Sequence, residues 1–446
     1  MMSIKKSKKI MADYNTELLL DYIEGAKFHS QSSVFSIAKL AFIDYLASYF
    51  LALDEPVIKQ FAQVYQQSEK HNNAIGTSYH FSNEEVALFY GFSTHYLDID
   101  DAHPNVQGHP SAVIFSALLA ISNTDHSWQE FFESYIIGLE VEGCLGKLVN
   151  PSLKIQGWHA TSILGNIGAA VAIGHLKQLN RTDLARLISL AATQSMGMSF
   201  QFGSDIKPLH AGLAARSAVL SYELVSKTQI TTNMTPFRED GGWLQTLNAS
   251  KNEFKAAFAS FLSPGEIIQP GLWFKRFPFC SAAMTGYDAA EQLWQRGIRF
   301  NKLKLIEIHF SPNQDQALRF KKPKTGIEGK FSIEYILWQV LSFGKIKNEL
   351  FSSEDVSKQF ITDLPKIKRY YDLPKQAQTS RSVKLSVLTD NDESISVNVA
   401  VPKGAPENPL SIEEIIDKLN GQPLQQILIN IQNSIKFDQP MAITTN

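Results

Sequence analysis

Cysteine is almost missing from this 446-residue chain: Cys144 and Cys280 are its only two. Two thiols cannot build a disulfide framework or a four-cysteine zinc site, and they fit a reducing, cytoplasmic setting. An excess of charge is missing too, since 42 Lys+Arg against 44 Asp+Glu leave a net charge of −2. That balance gives no general attraction to nucleic acid or to anionic membranes, so any basic site for an acidic ligand has to be local. No apolar run suits a membrane. Residues 33–53 are interrupted by Lys39 and Asp44, and residues 160–173 are too short to span, so both read as buried helices. No apolar segment follows Lys5, Lys6, Lys8 and Lys9, so residues 1–14 are expected to be a flexible tail and not a signal peptide. Internal repeats and low-complexity stretches are missing as well.

What the chain does have is apolar sequence for more than one core. At 446 residues and 44% hydrophobic content, two domains are expected. From about residue 15 to 260 the spacing is helical, through segments 37–51, 111–121, 131–139, 163–176, 184–196 and 209–224, with no strand alternation. Gly165, Gly168, Ala169 and Ala172 would let a neighbouring helix come close. The character changes near Pro264. Residues 303–310 read as a strand, 332–341 as a helix between Ser332 and Gly344, and 383–387 with 395–399 as a hairpin. Ser411 and Glu414 form a capping box for a closing helix. The expected fold is mainly α: a large helical domain over 15–265, completed by 410–446, and a smaller α+β domain over 266–409.

The densest polar cluster holds His95, Asp98, Asp100, Asp101, His103 and His109, and it leads into the helix that starts at Ser111. Caps and turns explain Pro104, Gly108, Pro110 and one Asp, but not three histidines. Histidine exchanges protons near neutral pH, and a carboxylate can orient it and stabilise its charge. A metal site competes as a reading, because Asp and His are good ligands. However, Asp98-x-Asp100-Asp101 lacks the DDxxD spacing of magnesium-binding helices, and no second acidic cluster follows. Three further points stand in apolar or Gly-rich surroundings: His159 after Gly157-Trp158, Lys207 just ahead of a helix, and Lys275-Arg276 opening the second domain. Each alone reads as structural. Together they supply cations for a multiply charged acid and imidazoles to move its protons.

These blocks carry a resemblance. Tyr96-Leu-Asp98-Ile-Asp100-Asp101-Ala102-His103 with Gly108-His109-Pro110-Ser111 is similar to the signature of the MmgE/PrpD family. Gly138 to Gly143, Trp158-His159-Ala-Thr161-Ser162, Lys207-Pro-Leu-His210-Ala-Gly212 and Lys275-Arg276-Phe277-Pro278 follow in the family's order, and the match runs from about residue 30 to 345. The resemblance implies a helical domain plus an α+β lid with the site between them, and a homodimer. It also implies chemistry without metal or organic cofactor, as in 2-methylcitrate dehydratase, cis-aconitate decarboxylase and iminodisuccinate epimerase. By position, Asp98, His109, His159, Lys207 and Lys275 match the family's site residues. Ala102, His103, Arg276 and Cys280 are the expected substrate contacts.

The reading that results is a lyase for a small polycarboxylate, with an epimerase and a catalytically silent ligand-binding member as alternatives. Lys207 and Lys275, with Arg276, would hold carboxylates. His109 and His159 would be base and acid, and Asp98 would orient a histidine and favour its charged form. Three departures bear on the substrate. Ala102 replaces a threonine common in the family, and Cys280 and Met284 stand where members often carry histidine. The tyrosine of the decarboxylase type has no counterpart between Ser311 and Lys324. Cys280 reads as a small buried hydrophobe before a redox-sensitive thiol.

Overall fold

The structure, a computed structural model, describes residues 13–28, 32–66, 72–249, 253–375, 381–441 and 443. The lysine-rich stretch at residues 5–9 lies outside them. The amino-terminal half is a helical body: α1 (Tyr14–Glu24), α2 (Ser32–Ala52), α3 (Pro56–Tyr65), α4 (Asn83–Tyr96), α5 (Pro110–Ile121), α6 (Trp128–Val149), the single turn α7 (Ser152–Ile155), α8 (Ala160–Leu176), α9 (Arg181–Ala192) and α10 (Ile206–Lys227). Ser82 and Ser127 start α4 and α6 with capping boxes to Glu85 and Glu130. Within α2, Ser33–Ala52 is long and apolar enough to cross a membrane. It packs instead against α4, α5 and α6, and its Asp44 is 1% exposed.

Small residues set the helix spacings. A Cβ added at Gly165 would stand 2.8 Å from the Val113 side chain of α5, and one at Gly138 would stand 2.7 Å from the Gly168 carbonyl oxygen. Thus α8 lies pressed against α5 and α6, as its Gly/Ala face predicts. Three details differ from the sequence reading. The helix expected to reach residue 196 ends at Ala192, and the chain turns toward the site with Gly197 at φ 108°. Lys207 sits inside the first turn of α10, not ahead of it, because Pro208 is tolerated where the N–H has no helical partner. A small antiparallel pair, β1 (Asn72–Asn73) and β2 (His80–Phe81), lies in the half where no strand was expected, too short to show alternation.

Past the short turns α11 (Trp243–Thr246) and α12 (Phe254–Ala257), the chain builds a second apolar core. Its helices are α13 (Met284–Gln295), α14 (Gly326–Gly329), α15 (Ile333–Phe343) and α16 (Lys358–Asp363). Its strands are β3 (Leu303–Phe310), β4 (Ile367–Tyr370), β5 (Val383–Thr389) and β6 (Ser394–Val399). They pair in the order β4-β3-β5-β6, antiparallel except for the parallel β3–β4 edge. Leu385 and Val387 alternate inward as the hairpin pattern predicts. The edge strand β4 went unread because its four residues bury only Ile367.

The chain then returns to the body through α17 (Ile412–Ile416) and α18 (Leu424–Ser434), which pack on α2. Between them Lys418 forms a buried ion pair with Asp44 and also donates to the Ile99 carbonyl at 3.1 Å.

Candidate active site

The site forms where the 97–109 loop of the body meets the 273–282 segment that opens the second core. Ala102 and Trp273 exchange backbone hydrogen bonds of 2.9 and 2.8 Å, which fixes Lys275 over the loop. Asp98 adopts a left-handed conformation (φ 58°) that Asp tolerates better than most residues. That conformation turns the chain at the end of α4. The Asp98 Oδ1 accepts from Lys275 Nζ at 2.7 Å and lies 3.2 Å from Lys207 Nζ and 3.6 Å from His109 Nε2. Lys275 also donates to the Asp98 carbonyl. Burial opposes ionisation of Asp98. The ammonium groups of Lys207 and Lys275 outweigh it and hold the carboxyl well below the usual carboxylate range.

The imidazoles are fixed in turn. His95, from the last turn of α4, donates through Nδ1 to Asp100 at 3.0 Å, and its Nε2 accepts from Lys207 at 2.9 Å. His109, the N-cap of α5, donates through Nδ1 to the Asp101 carbonyl at 2.6 Å, which leaves the Nε2 lone pair free. His159, the N-cap of α8, shares a proton between its Nδ1 and that of His210 at 3.1 Å. Burial, reinforced by neighbouring cations and imidazoles, lowers all four, His109 and His159 well below the ordinary histidine value and His210 to about 4. The sequence reading expected Asp98 to favour a charged histidine, but for His109 burial outweighs the carboxylate 3.6 Å away and the free site holds it neutral. The Asp98 charge is already shared by two ammonium groups.

These groups surround a small cavity of about 60 Å³. Asp98, Ala102, His103, His109, His159, Lys207 and Cys280 all line it. Lys275 lies fully buried beneath Asp98 and is not part of the wall. Arg276 is turned away: it binds Asp288 at 2.5 Å and Glu291 at 3.2 Å and stacks near Tyr287. Alternation along an extended segment sends one of two adjacent cations inward and the other outward. His103 has both nitrogens committed, Nε2 to the Glu266 carbonyl at 3.0 Å and Nδ1 to the Val106 N–H at 3.3 Å. It offers a ligand only its ring. Met284 is buried in the second core and lies off the wall, and Ala317 reaches the cavity from the stretch that lacks the tyrosine.

Sequence reasoning placed His95 in the polar cluster without giving it a role and did not single out Lys154, His210, Lys330 or Arg381. His210 stood inside a quoted motif, three residues from Lys207. Lys154 and Arg381 carry no local signal. Four donors, His95, Asp98, Asp100 and His109, lie within 4.8 Å of one another, close enough for a divalent cation. The positions between them are held by Lys207 and Lys275, whose ammonium groups would have to leave first. The charge pattern suits an anion. Lys154, Lys207, Lys275, Lys330, Arg319 and Arg381 converge here. Asp101 and Glu142, by contrast, have carboxyls pushed well above the usual range by burial and stay neutral.

Two family models match this chain. The MmgE/PrpD N-terminal domain matches residues 17–255 and the MmgE/PrpD C-terminal domain matches residues 277–422. Cis-aconitate decarboxylase of Mus musculus is 24% identical over 212 residues, covering 45% of this chain and 43% of that protein. The Homo sapiens cis-aconitate decarboxylase is 24% identical over 215 residues, covering 46% and 44%. The alignments thus span less than half the length of these relatives.

Proposed function

The chain belongs to the MmgE/PrpD family, and from that premise we propose that it is a lyase for a small di- or tricarboxylic acid, working by proton transfer without a cofactor. The observation that carries this reading is the pairing of neutral imidazoles with two ammonium groups that share one carboxylate oxygen at one small cavity. Lys207 faces the cavity and holds a substrate carboxylate; Lys275 beneath it keeps Asp98 ionised. His109, with its Nε2 lone pair free, removes the proton from the carbon next to that carboxylate. The imidazolium formed lies 3.6 Å from Asp98, whose charge stabilises it only once the proton has moved. His159 faces the same cavity, and its shared proton with His210 lets it present Nε2–H as an acid to the leaving group or the intermediate. In a dehydration the cations stabilise the resulting enolate-like intermediate, and the neighbouring hydroxyl leaves as water with the proton from His159. In a decarboxylation no proton is removed first: the C–CO2 bond breaks instead, its electron pair forms the enolate-like intermediate, and His159 protonates that carbon.

Two imidazoles on one cavity also suit an epimerase, in which the second returns the proton to the opposite face. Proton NMR in D2O with 2-methylcitrate, cis-aconitate and other small polycarboxylates separates these outcomes: a lyase gives a new skeleton, and an epimerase gives deuterium exchange alone. His159→Ala is expected to lower turnover at least about a hundredfold with the melting temperature little changed. Near-normal activity of that variant would remove His159 from the mechanism.

A further inference from the structure

At the Asp98 end of the cavity every cation has an acceptor. The other end differs. There Lys154, from α7, and Arg381, just ahead of β5, reach the wall beside Cys280, Ser281 and Ala317. Arg319 stands next to them, donating to the Ser199 carbonyl at 2.7 Å and to Ser199 Oγ at 2.9 Å, with its guanidinium 4.9 Å from the Phe202 ring centre.

Among the described residues, no carboxylate forms a salt bridge with any of the three cations. Asp315, the acid in their neighbourhood, is already bound by Arg369 at 2.8 Å and by the Tyr371 hydroxyl at 2.9 Å. The Lys154 ammonium group makes no hydrogen bond among the described residues, and burial and the nearby Arg381 push it down to about 8. Lys154 and Arg381 are half-buried and Arg319 is exposed; like charges gathered at one wall without a counter-charge repel one another, a cost that a bound anion relieves. A guanidinium fork and an ammonium are the pair that carboxylates are commonly held by.

We propose that Lys154 and Arg381, steadied by Arg319, form a second carboxylate pocket for the far end of the substrate. This rests on the proposed function and narrows its substrate class: the acid carries carboxylates at both ends, and one with a single carboxylate is a poor ligand. Lys154 belongs to the helical body and Arg381 to the sheet, so the far carboxylate also ties the two parts together across the cavity.

The test is isothermal titration of the full chain with tricarballylate, a saturated and unreactive tricarboxylate, and with butyrate as the single-carboxylate control. Wild-type protein should bind tricarballylate and prefer it to butyrate. Lys154→Met, which breaks no hydrogen bond, and Arg381→Gln should each weaken tricarballylate about tenfold or more without moving butyrate. Unchanged unliganded melting temperatures, and partial recovery with Arg381→Lys, keep a folding defect from being mistaken for loss of the pocket. Tricarballylate affinity within about twofold of wild type in both variants, or no binding to the wild type, overturns the proposal. Because binding is read without turnover, a protein inert toward every polycarboxylate that still loses tricarballylate on Lys154→Met keeps the pocket and refutes the lyase instead.

Discussion

Two buried clusters of charge, one in the sheet and one in the cavity, are built on opposite plans. In the sheet, Arg369 reaches Glu334 through Nε and Nη2 at 2.6 Å each, and Asp315 and the Leu318 carbonyl through Nη1 at 2.8 Å each. Its guanidinium is 2% exposed and flanked by two carboxylates. Around Asp98, two ammonium groups share one oxygen, while Oδ2 is buried with no hydrogen-bond partner among the described residues. The first cluster satisfies its own groups and closes. The second holds surplus positive charge and neutral bases, an arrangement that stability alone does not call for and that a charged substrate completes.

That contrast can be broken at either cluster. The largest effect on stability is expected from Arg369→Ala, which strands two buried carboxylates and should cost about 3–5 kcal/mol in denaturant unfolding. A loss below about 1 kcal/mol would mean the sheet cluster is not self-contained. Asp98→Asn should do the reverse: turnover falls at least about a hundredfold, roughly 2.7 kcal/mol in the barrier, because the imidazolium of His109 loses the negative charge that faces its Nε2. Retained activity would place the proton acceptor elsewhere.

Near pH 5 the smallest effect belongs to Glu142, whose two oxygens are buried without hydrogen-bond partners among the described residues and whose carboxyl burial pushes well above the usual range. The folded chain keeps this proton, and the unfolded chain releases it above about pH 4.5. Its stabilising contribution is therefore whole at low pH and drains away as pH rises toward the folded value. Glu142→Gln removes that drain, so its stability relative to wild type should rise by up to about 1.4 kcal/mol per pH unit from pH 5 upward. A pH-independent difference between the two proteins would show that Glu142 is ionised in the fold.

Much of the cavity was legible in the chain itself, and the reason is local. His95, Asp98, Asp100, Asp101, His103 and His109 all fall within one loop and its flanking turns, where caps alone could not explain so many titratable groups. His159 and Lys207 stood out against Gly-rich and apolar neighbours. Orientation was not legible: Lys275 and Arg276 are adjacent cations, and only the pairing of Ala102 with Trp273 decides which faces the loop. Nor could sequence separate His103, spent on backbone groups, from His109, whose Nε2 is free. Lys154 and Arg381 were out of reach because they meet only in three dimensions, each looking like a solvated side chain in its own stretch. For the fold, helical spacing located the body and alternation located the hairpin, whereas the edge strand β4 buries too little to be read.

The path of the chain at Gly404 has a further consequence. The segment that leaves the body and the one that returns to it touch there, where the Phe274 N–H donates to the Gly404 carbonyl at 2.9 Å. Gly404 holds φ 102°, and an added Cβ would run into the Phe274 carbonyl oxygen, one residue from Lys275. Everything between these two points is a loop closed by a clasp. Its length can change in the turns between strands without shifting the clasp, whereas one extra carbon at position 404 would move the ammonium group under Asp98. Tolerance to insertion and intolerance to a single methyl thus sit side by side in this chain, and neither follows distance from the cavity.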